Sequence, residues 1–278
     1  MPEQLQFDEI GLWSEIKLEI LKEYAAAYSR ILAAQRHPHL QHIYIDAFAG
    51  AGVHRSRVTH GFVRGSPWNA LSVRPPFVEY HLIDIEPEKI ENLKTLFGSR
   101  HDVFFYQGNC NQILLRDVFP RANYQDYRRG LCVLDPYGLH LDWAAIFQAG
   151  QMRTIDMFLN FPVADMNRNV LWRNPERVDA SQAARMTAFW GDASWRDIAY
   201  QTTGNLFGYP EKESNDVVAE AFRTRLRDVA GFGRVPKPIP MRNSTGAIIY
   251  YLFFASQNGT GEHIVQEIFE NYKNVGAR

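Results

Sequence analysis

The sequence predicts an α/β fold built on a mostly parallel sheet, and three features of the chain indicate it. An apolar run at 42–47 leads into a turn that holds Gly50 and Gly52, which can adopt backbone angles closed to other residues. Downstream, strand-like and helix-like segments alternate, which is the pattern of βαβ units. The chain then closes with two adjacent strand-like runs within 235–256, joined by a hairpin signal at 243–246.

The N-terminal helix is expected within residues 1–38, over about 8–36. Its apolar positions recur at helical spacing: Leu12, Ile16, Ile20, Tyr24, Ala27 and Ile31. The opposite, polar face is expected to carry Lys17, Glu19, Lys22 and Glu23. Pro38 ends the helix, because proline disfavours helical angles in the residue before it.

Five strands then alternate with helices. The strands are expected at 42–47, 78–84, 102–107, 130–135 and 154–161. The helices between them are expected at 67–73, 86–97, 110–118 and 142–150, and two later ones at 215–230 and 259–273. The run at 130–135 is apolar throughout, as expected for a strand that is buried on both faces of a sheet.

Two segments interrupt this alternation. Residues 53–65 are polar and basic and suggest a mobile loop. Residues 163–215 are rich in Arg, Asn, Asp and Trp and suggest a helical insertion or cap. Both fit inside one domain that spans 1–278, since a chain of 278 residues buries one large core, with or without a small cap.

The order of the elements narrows the fold class. Five alternating strands and helices closed by a hairpin match the sheet of class I methyltransferases, which has seven strands with the last one antiparallel. A plain dinucleotide-binding domain has no reason to end in a hairpin. We therefore predict a Rossmann-like class I methyltransferase fold, with a mostly parallel seven-stranded sheet, a C-terminal antiparallel hairpin and a helical insertion.

Composition sets broad limits on function. The formal net charge of −1 provides no overall positive field to attract nucleic acid, so any basic surface must be local. Cys110 and Cys132 lie in apolar runs and are expected to be reduced and buried. Residues 1–10 contain no apolar signal core, and no apolar run reaches the length of a membrane span. We expect a cytoplasmic protein without a membrane partner.

The predicted strand ends carry the groups that S-adenosylmethionine requires. Asp46, Phe48, Gly50 and Gly52 form a turn suited to the methionine end, which is expected to bind at a helix N-terminus with Asp46 near its amino group. A bare strand–turn–helix junction is the alternative, because short glycine patterns are weak signals.

The next two strand ends are suited to the adenosine part of this cofactor. Asp84 is placed to bind the ribose hydroxyls, with Ile85 beside it, while Glu86 is interpreted as a helix cap or as a second ribose ligand. Gly108 and Asn109 follow the third strand and are suited to adenine, although asparagine after glycine is also a common turn.

The methyl acceptor is expected beside the fourth and fifth strands. Asp135, Pro136 and Tyr137 resemble the Asp-Pro-Pro-Tyr motif with which amino methyltransferases hold a target nitrogen, but the second proline is absent and Gly138 follows. A strand-ending turn is the alternative interpretation. Asn160 and Arg168 are further candidates for contact with the substrate, or members of a solvated polar loop.

The sequence lacks the motifs that are typical of several other enzyme classes. It contains no HExxH, no Gly-x-Ser-x-Gly and no Gly-x-x-x-x-Gly-Lys-Ser/Thr, so a catalytic zinc, an esterase nucleophile and a nucleotide-triphosphate loop are not expected. We expect no metal.

Taken together, several motifs resemble those of the bacterial three-Cys-motif partner proteins. They are Trp13-x3-Lys17, "YIDAFAGAG", "GSPWNAL", "HLIDIEPEKIENL", "LDPYG" and "FLNFPVADMNRN". The resemblance extends to about residue 256 and implies a methyltransferase-like Rossmann fold, with the glycine turn at Gly50 and Gly52 and the post-strand acid at Asp84. It also implies a functional link to a separate protein that bears a three-cysteine motif, but no established reaction.

Three hypotheses for function remain. The first is an S-adenosylmethionine-dependent methyltransferase that acts on nucleic acid or on a partner protein. The second is a non-catalytic protein of the same fold that serves a three-Cys-motif protein. The third is a nucleic-acid-binding protein, since Arg168, Arg173, Arg177 and Arg185 lie in a segment with three tryptophans, and cations beside aromatic rings suit unpaired bases.

Overall fold

The computed structural model describes residues 8–201 and 211–273, so residues 1–7 of the predicted N-terminal segment and 202–210 of the predicted insertion lie outside it. The strands of the described part are β1 (Asp8–Ile10), β2 (Gln41–Asp46), β3 (Val53–Ser56), β4 (Phe62–Arg64), β5 (Glu79–Asp84), β6 (Val103–Gln107), β7 (Arg128–Leu134), β8 (Ile155–Phe161), β9 (Tyr200–Gln201), β10 (Glu211–Lys212), β11 (Ile239–Arg242) and β12 (Ile248–Ala255). The α-helices are α1 (Leu12–Ala33), α2 (Ser66–Leu71), α3 (Pro87–Phe97), α4 (Cys110–Ile113), α5 (Trp143–Met152), α6 (Val163–Asn169), α7 (Ala180–Trp190), α8 (Trp195–Ala199), α9 (Asn215–Asp228) and α10 (Gly259–Tyr272).

Seven strands form the central sheet, in the order β11-β12-β8-β7-β2-β5-β6. Strands β6, β5, β2, β7 and β8 are parallel to one another, and β12 pairs antiparallel with both β8 and β11. The predicted α/β class, the mostly parallel sheet and the C-terminal hairpin are therefore confirmed. All five parallel strands end at the same edge of the sheet, where residues that follow them in the chain can meet.

Helices cover both faces of this sheet, and successive strand residues point to opposite faces. Ile43 and Ile45 of β2 belong to one apolar cluster, with residues of α5, α7 and α9. Tyr44 belongs to the other cluster, with residues of α1, α3 and α10. The long N-terminal helix α1 thus packs on the sheet, as its apolar stripe requires.

The segment predicted as a mobile loop, 53–65, is instead a β-hairpin. Strands β3 and β4 pair antiparallel, and β1 adds a parallel strand to β3, with Asp8 opposite His54. The hydroxyl of Ser56 donates a hydrogen bond to Glu15 at 2.7 Å, which ties the hairpin to α1. Residues 8–10 are therefore a strand, and the helix predicted from residue 8 begins only at Leu12.

The predicted insertion, 163–215, is largely part of the core. Trp190 and Trp195 are completely or almost completely buried, and each indole N–H has an internal acceptor at 3.0 Å, the hydroxyls of Ser194 and Thr187 respectively. Helices α6, α7 and α8 contribute to the same apolar cluster as α5. Two of the three tryptophans are consequently unavailable for stacking on bases, and only Trp172 is partly exposed.

Across residues 8–201 and 211–273, no helix combines the length and the apolar character needed to cross a membrane.

Candidate functional site

A cavity of about 500 Å³ lies at the edge of the sheet where the parallel strands end. We call it the strand-end cavity. It brings together residues that follow five different strands: Gly50 after β2, Asp84 and Ile85 at and after β5, Gly108 and Asn109 after β6, Asp135, Pro136 and Tyr137 after β7, and Asn160 near the end of β8. The chain segments that the sequence marked for chemistry therefore converge on one site.

The glycine turn and the acid after β5 are joined directly. The N–H of Gly50 donates to Oδ2 of Asp84 at 2.9 Å, and the N–H of Glu86 donates to Oδ1 of the same carboxylate at 3.0 Å. Gly50 has a φ of 63°, an angle that glycine adopts without strain. Asp84 lines the cavity at the position predicted for a ribose ligand, and Glu86 caps α3 through its backbone.

Asp46 does not line the cavity. Its side chain is fully buried beneath the turn, where it accepts hydrogen bonds from the Tyr44 hydroxyl at 3.1 Å and from the Phe48 N–H at 3.4 Å. Burial raises the pKa of Asp46 to about 6. The predicted contact with an amino group is thus replaced by a supporting role, because a fully enclosed carboxylate cannot reach a ligand in the cavity.

Gly52 also lies away from the cavity. Its φ is 82°, and a Cβ there would come within 3.0 Å of Leu93 on α3, so glycine is required for close packing of turn and helix. The turn leads into the β3–β4 hairpin, where the sequence analysis predicted a mobile loop before the next helix. The N–H of Gly65 then donates to the carbonyl of Gly52 at 2.9 Å, which brings Ser66, the first residue of α2, back to the cavity wall.

Apolar side chains and the segment after β6 complete this part of the cavity lining. Ile85 is 69% exposed there, and Phe48 lines the same space. Gly108 has a φ of 142°, outside the range of most side chains. Asn109 is the N-cap of α4, since its Oδ1 accepts from the Asn111 N–H at 3.0 Å, and its Nδ2 group has no protein partner among the described residues. Asn109 therefore both caps α4 and lines the cavity.

Asp135 is paired with a cation that the sequence analysis had placed on a solvated helix face. Lys17 of α1 lines the cavity, is only 10% exposed in its side chain, and forms an ion pair and hydrogen bond with Oδ2 of Asp135. Burial alone would lower the pKa of Lys17, but the charge and hydrogen bond of Asp135, together with Tyr250 and Asp46, outweigh it and hold that pKa above its usual value. The ring of Tyr250 lies 5.4 Å from the ammonium group.

The loop after β7 requires glycine at position 138. Gly138 has a φ of 71°, and a Cβ at this position would lie 2.5 Å from a carboxylate oxygen of Asp165 on α6. Asp165 also accepts a hydrogen bond from the Leu139 N–H at 3.2 Å. The departure from Asp-Pro-Pro-Tyr is thus explained in part, because the residue after Tyr137 must admit the Asp165 carboxylate. Tyr137 itself is 75% exposed at the opening of the cavity, with Lys89 Nζ 5.6 Å from its ring centre.

The two candidates after the fifth strand separate in space. Asn160 lines the cavity and is 8% exposed, and its Oδ1 has no hydrogen-bond partner within the described residues. Arg168 lies on the exposed side of α6 and does not line the cavity. An unpaired buried acceptor is costly unless a ligand or water satisfies it, so Asn160 is a strong candidate for ligand contact.

The cavity-lining residues that were not singled out from the sequence as site residues include Lys17, His54, His140 and Tyr250. Lys17 had a detectable signal, since its i, i+4 spacing from Trp13 places it on the buried stripe of α1. The others depend on contacts between distant elements. Burial lowers the pKa of His54, whose Nδ1 lacks a described partner.

The chemistry offered by these groups is positioning and hydrogen bonding. Cys110 also lines the cavity, but burial raises its pKa to about 12, so the reactive thiolate is scarce. Among the residues that the structure describes, no three His, Cys, Asp or Glu side chains are grouped to hold a metal ion. Both cysteines are unpaired and buried, as predicted.

Comparisons with known proteins give no family assignment. No family model matches the chain, and no curated protein matches it. One similar solved structure is a Legionella pneumophila protein of family model DUF519, at 12% identity, over 92% of this chain and 91% of that chain, with a TM-score of 0.49. Another is a Rhodobacter sphaeroides chain assigned by name to Zn-dependent alcohol dehydrogenases, at 10% identity, over 87% and 99% of the two chains, with a TM-score of 0.34.

Proposed function

We propose that this protein is an S-adenosylmethionine-dependent methyltransferase. The observation that carries the proposal is the convergence of groups from five strand ends on a single cavity of about 500 Å³, in the order in which such a cofactor requires them. The sheet supports it as well, since its seven strands include one antiparallel member, β12, which is the last strand among the described residues.

The residues present fit this cofactor. Asp84 is suited to the ribose hydroxyls, because a carboxylate that accepts two backbone N–H groups keeps further lone pairs for a ligand. Ile85 and Phe48 line the cavity and would offer apolar contact to an adenine ring, and the Asn109 amide would bond its edge. Lys17 is the buried cation of the wall and is suited to the methionine carboxylate, with Asp135 as the acceptor for its ammonium group.

When bound, the cofactor supplies an electrophilic methyl group. The chain's own task is to hold the acceptor so that a lone pair faces that group, and orientation of this kind can be worth about 7 kcal/mol or more of the barrier. Asn160 Oδ1 is a buried acceptor in the wall that has no partner among the described residues, and a substrate N–H or O–H would satisfy it. Tyr137 stands exposed at the opening, where its ring can stack on a planar substrate.

Calorimetric titration with S-adenosylhomocysteine tests the proposal. We expect the wild-type protein to bind, and Asp84→Asn to bind roughly ten- to a hundredfold more weakly, because the charge-assisted bonds to the ribose are lost. Asp117→Asn is the matched control, since Asp117 is paired with Arg116 outside the cavity. An absence of binding by wild type, or equal binding by Asp84→Asn, would contradict the assignment.

One observation favours a second function, that of a non-catalytic partner of a three-Cys-motif protein. Asp135, the carboxylate that the motif assigns to a target nitrogen, is already neutralised by Lys17. Transfer of a labelled methyl group separates the two functions. If Asn160→Ala and Asp135→Asn both left cellular activity intact while the variants still bound S-adenosylhomocysteine, the non-catalytic partner function would replace the methyltransferase function.

A further inference from the structure

The β3–β4 hairpin forms a basic surface that begins at the wall of the strand-end cavity. His54 of β3 lines the cavity, and from there the hairpin extends to exposed residues at 57–62. Residues 53–65 contain three arginines, Arg55, Arg57 and Arg64, and no Asp or Glu. All three arginines are exposed. Asp8 and Glu9 of β1 lie opposite His54 and Arg55, and Asp8 also lines the cavity, so the excess of positive charge belongs to the exposed outer part of the hairpin and not to the cavity wall.

The arginines of this basic hairpin are largely uncommitted. Arg55 donates to the carbonyl of His60 at 3.4 Å, and Arg64 stacks on Trp68 at 5.3 Å. Over residues 8–201 and 211–273, neither has a carboxylate within ion-pair distance. Arg57 approaches Glu9 at 3.9 Å, but both side chains are more than half exposed, so water screens that pair. The guanidinium groups therefore retain donors for an anionic ligand.

Apolar and aromatic groups accompany these cations. Phe62 is 73% exposed and Val58 is 60% exposed on the hairpin, and Tyr137 is 75% exposed at the opening of the cavity. Exposed aromatic rings next to arginines are the arrangement on which unpaired bases stack while phosphates are neutralised. An acidic peptide would use the cations but has less use for exposed rings.

A second basic segment reaches the cavity through His140. His140 lines the cavity, and its Nε2 lies 3.2 Å from a guanidinium nitrogen of Arg185 on α7. Arg168 on α6 is exposed in the same insertion, and its carbonyl accepts from the indole of Trp172, which is 40% exposed. His54 and His140 thus bring basic segments that are far apart in sequence to the same cavity.

We propose that the basic hairpin binds single-stranded nucleic acid and delivers one of its bases to the strand-end cavity. This inference rests on the proposed function, and it names the class of the methyl acceptor. A base has to leave its stack to reach such a pocket, and an unpaired strand does so at the lowest cost. The phosphates lie along Arg55, Arg57 and Arg64, and the base enters past Tyr137 toward Asn160.

Fluorescence anisotropy with a labelled single-stranded oligonucleotide of about 20 nucleotides tests this surface. Wild type is expected to bind, and to lose affinity as salt is added. The triple variant Arg55→Gln/Arg57→Gln/Arg64→Gln should lower the slope of log affinity against log salt by about 2, that is, about 0.7 for each lost phosphate contact. Arg36→Gln/Arg153→Gln is the control, because these exposed arginines precede β2 and β8 at the opposite edge of the sheet.

Phe62→Ala separates base stacking from simple charge attraction. We expect it to weaken oligonucleotide binding about fivefold or more, while binding of heparin, an anion without bases, stays unchanged. Calorimetry with S-adenosylhomocysteine on the same proteins shows whether they are folded and whether the proposed function holds. If that ligand binds but the oligonucleotide does not bind at low salt, or if the triple variant and the control behave alike, the hairpin proposal is overturned and the methyltransferase proposal stands.

Discussion

The buried ion pair between Lys17 and Asp135 leads to an asymmetric prediction. The Lys17 side chain is 10% exposed and that of Asp135 is 31% exposed. Asp135→Asn leaves an ammonium group enclosed in the protein, whereas Lys17→Met leaves a carboxylate that water still reaches. We therefore expect the aspartate variant to be the less stable of the two, although each removes the same interaction.

The magnitudes follow from this difference in burial. Removal of one partner from a fully buried pair typically costs about 3–5 kcal/mol. Asp135 is nearly a third exposed, so the pair is partly screened, and we expect about 2–3 kcal/mol for Asp135→Asn. For Lys17→Met we expect about 1 kcal/mol or less, because the methionine fills most of the same volume with apolar atoms and no ammonium group is desolvated.

Urea unfolding followed by tryptophan fluorescence measures both costs. The double variant Lys17→Met/Asp135→Asn should be more stable than Asp135→Asn alone, since the stranded charge is gone. A pH series adds a second readout. In wild type the contribution of Lys17 is present below its unfolded pKa of 10.5 and is lost as the pH rises through its higher folded pKa.

In Asp135→Asn the burial effect on Lys17 is no longer opposed by its partner, so its folded pKa falls and stability recovers toward alkaline pH. Equal costs for the two single variants, or a double variant that is merely the sum of both, would refute the reasoning.

Three further predictions concern other parts of the site. As the pH rises from about 4 to about 7, Asp46→Asn should gain stability relative to wild type, on the order of 2–3 kcal/mol. The stability that Asp46 contributes is present below its unfolded pKa of 3.8 and is lost as the pH rises through the folded pKa of about 6. Urea unfolding at about pH 4 and about pH 7 measures this difference, and a variant that loses stability relative to wild type with rising pH would contradict it. Gly138→Ala should cost more than Gly246→Ala, by about 1 kcal/mol or more, because both glycines have positive φ but only the first would press a Cβ on Asp165; equal midpoints would show that the loop yields freely. Asn160→Ala should keep S-adenosylhomocysteine affinity within about twofold while methyl transfer falls about tenfold or more, and a parallel loss of both would assign Asn160 to cofactor binding instead.

Much of the sheet could be predicted because its signals are local. The apolar runs at 78–84 and 130–135 mark strands by composition, and the Asn243 to Gly246 turn marks the hairpin. The β3–β4 hairpin could not be predicted in this way. It is stabilised by β1, some 45 residues earlier in the chain, and by the Ser56–Glu15 hydrogen bond, and neither partner is visible in a window of neighbouring residues.

The site was predictable to the extent that it depends on where strands end. Asp84, Asn109, Asp135 and Asn160 meet because parallel strands share an edge, and that rule needs only the order of the elements. The burial of each side chain does not follow from the order of the elements. Asp46 and Asp84 both end apolar strands, yet one is sealed beneath the turn and the other opens into the cavity, because β2 is a central strand and Tyr44 and Phe48 enclose its last residue.

The contacts of Asp135, Gly138 and Asn160 determine what the acceptor side of the cavity can do. In Asp-Pro-Tyr-Gly the carboxylate is paired with Lys17, and the glycine is fixed by Asp165, so two of the four positions are determined by packing. Asn160, one strand further along the sheet, offers the wall a buried amide oxygen that has no partner within the described residues. If methyl transfer occurs here, the group that orients the acceptor is then at the end of β8, and Asp135 acts on it only through the state of its pair with Lys17. Variants at Asn160 should therefore change acceptor chemistry, while variants at Lys17 and Asp135 should change stability and the binding of the methionine end.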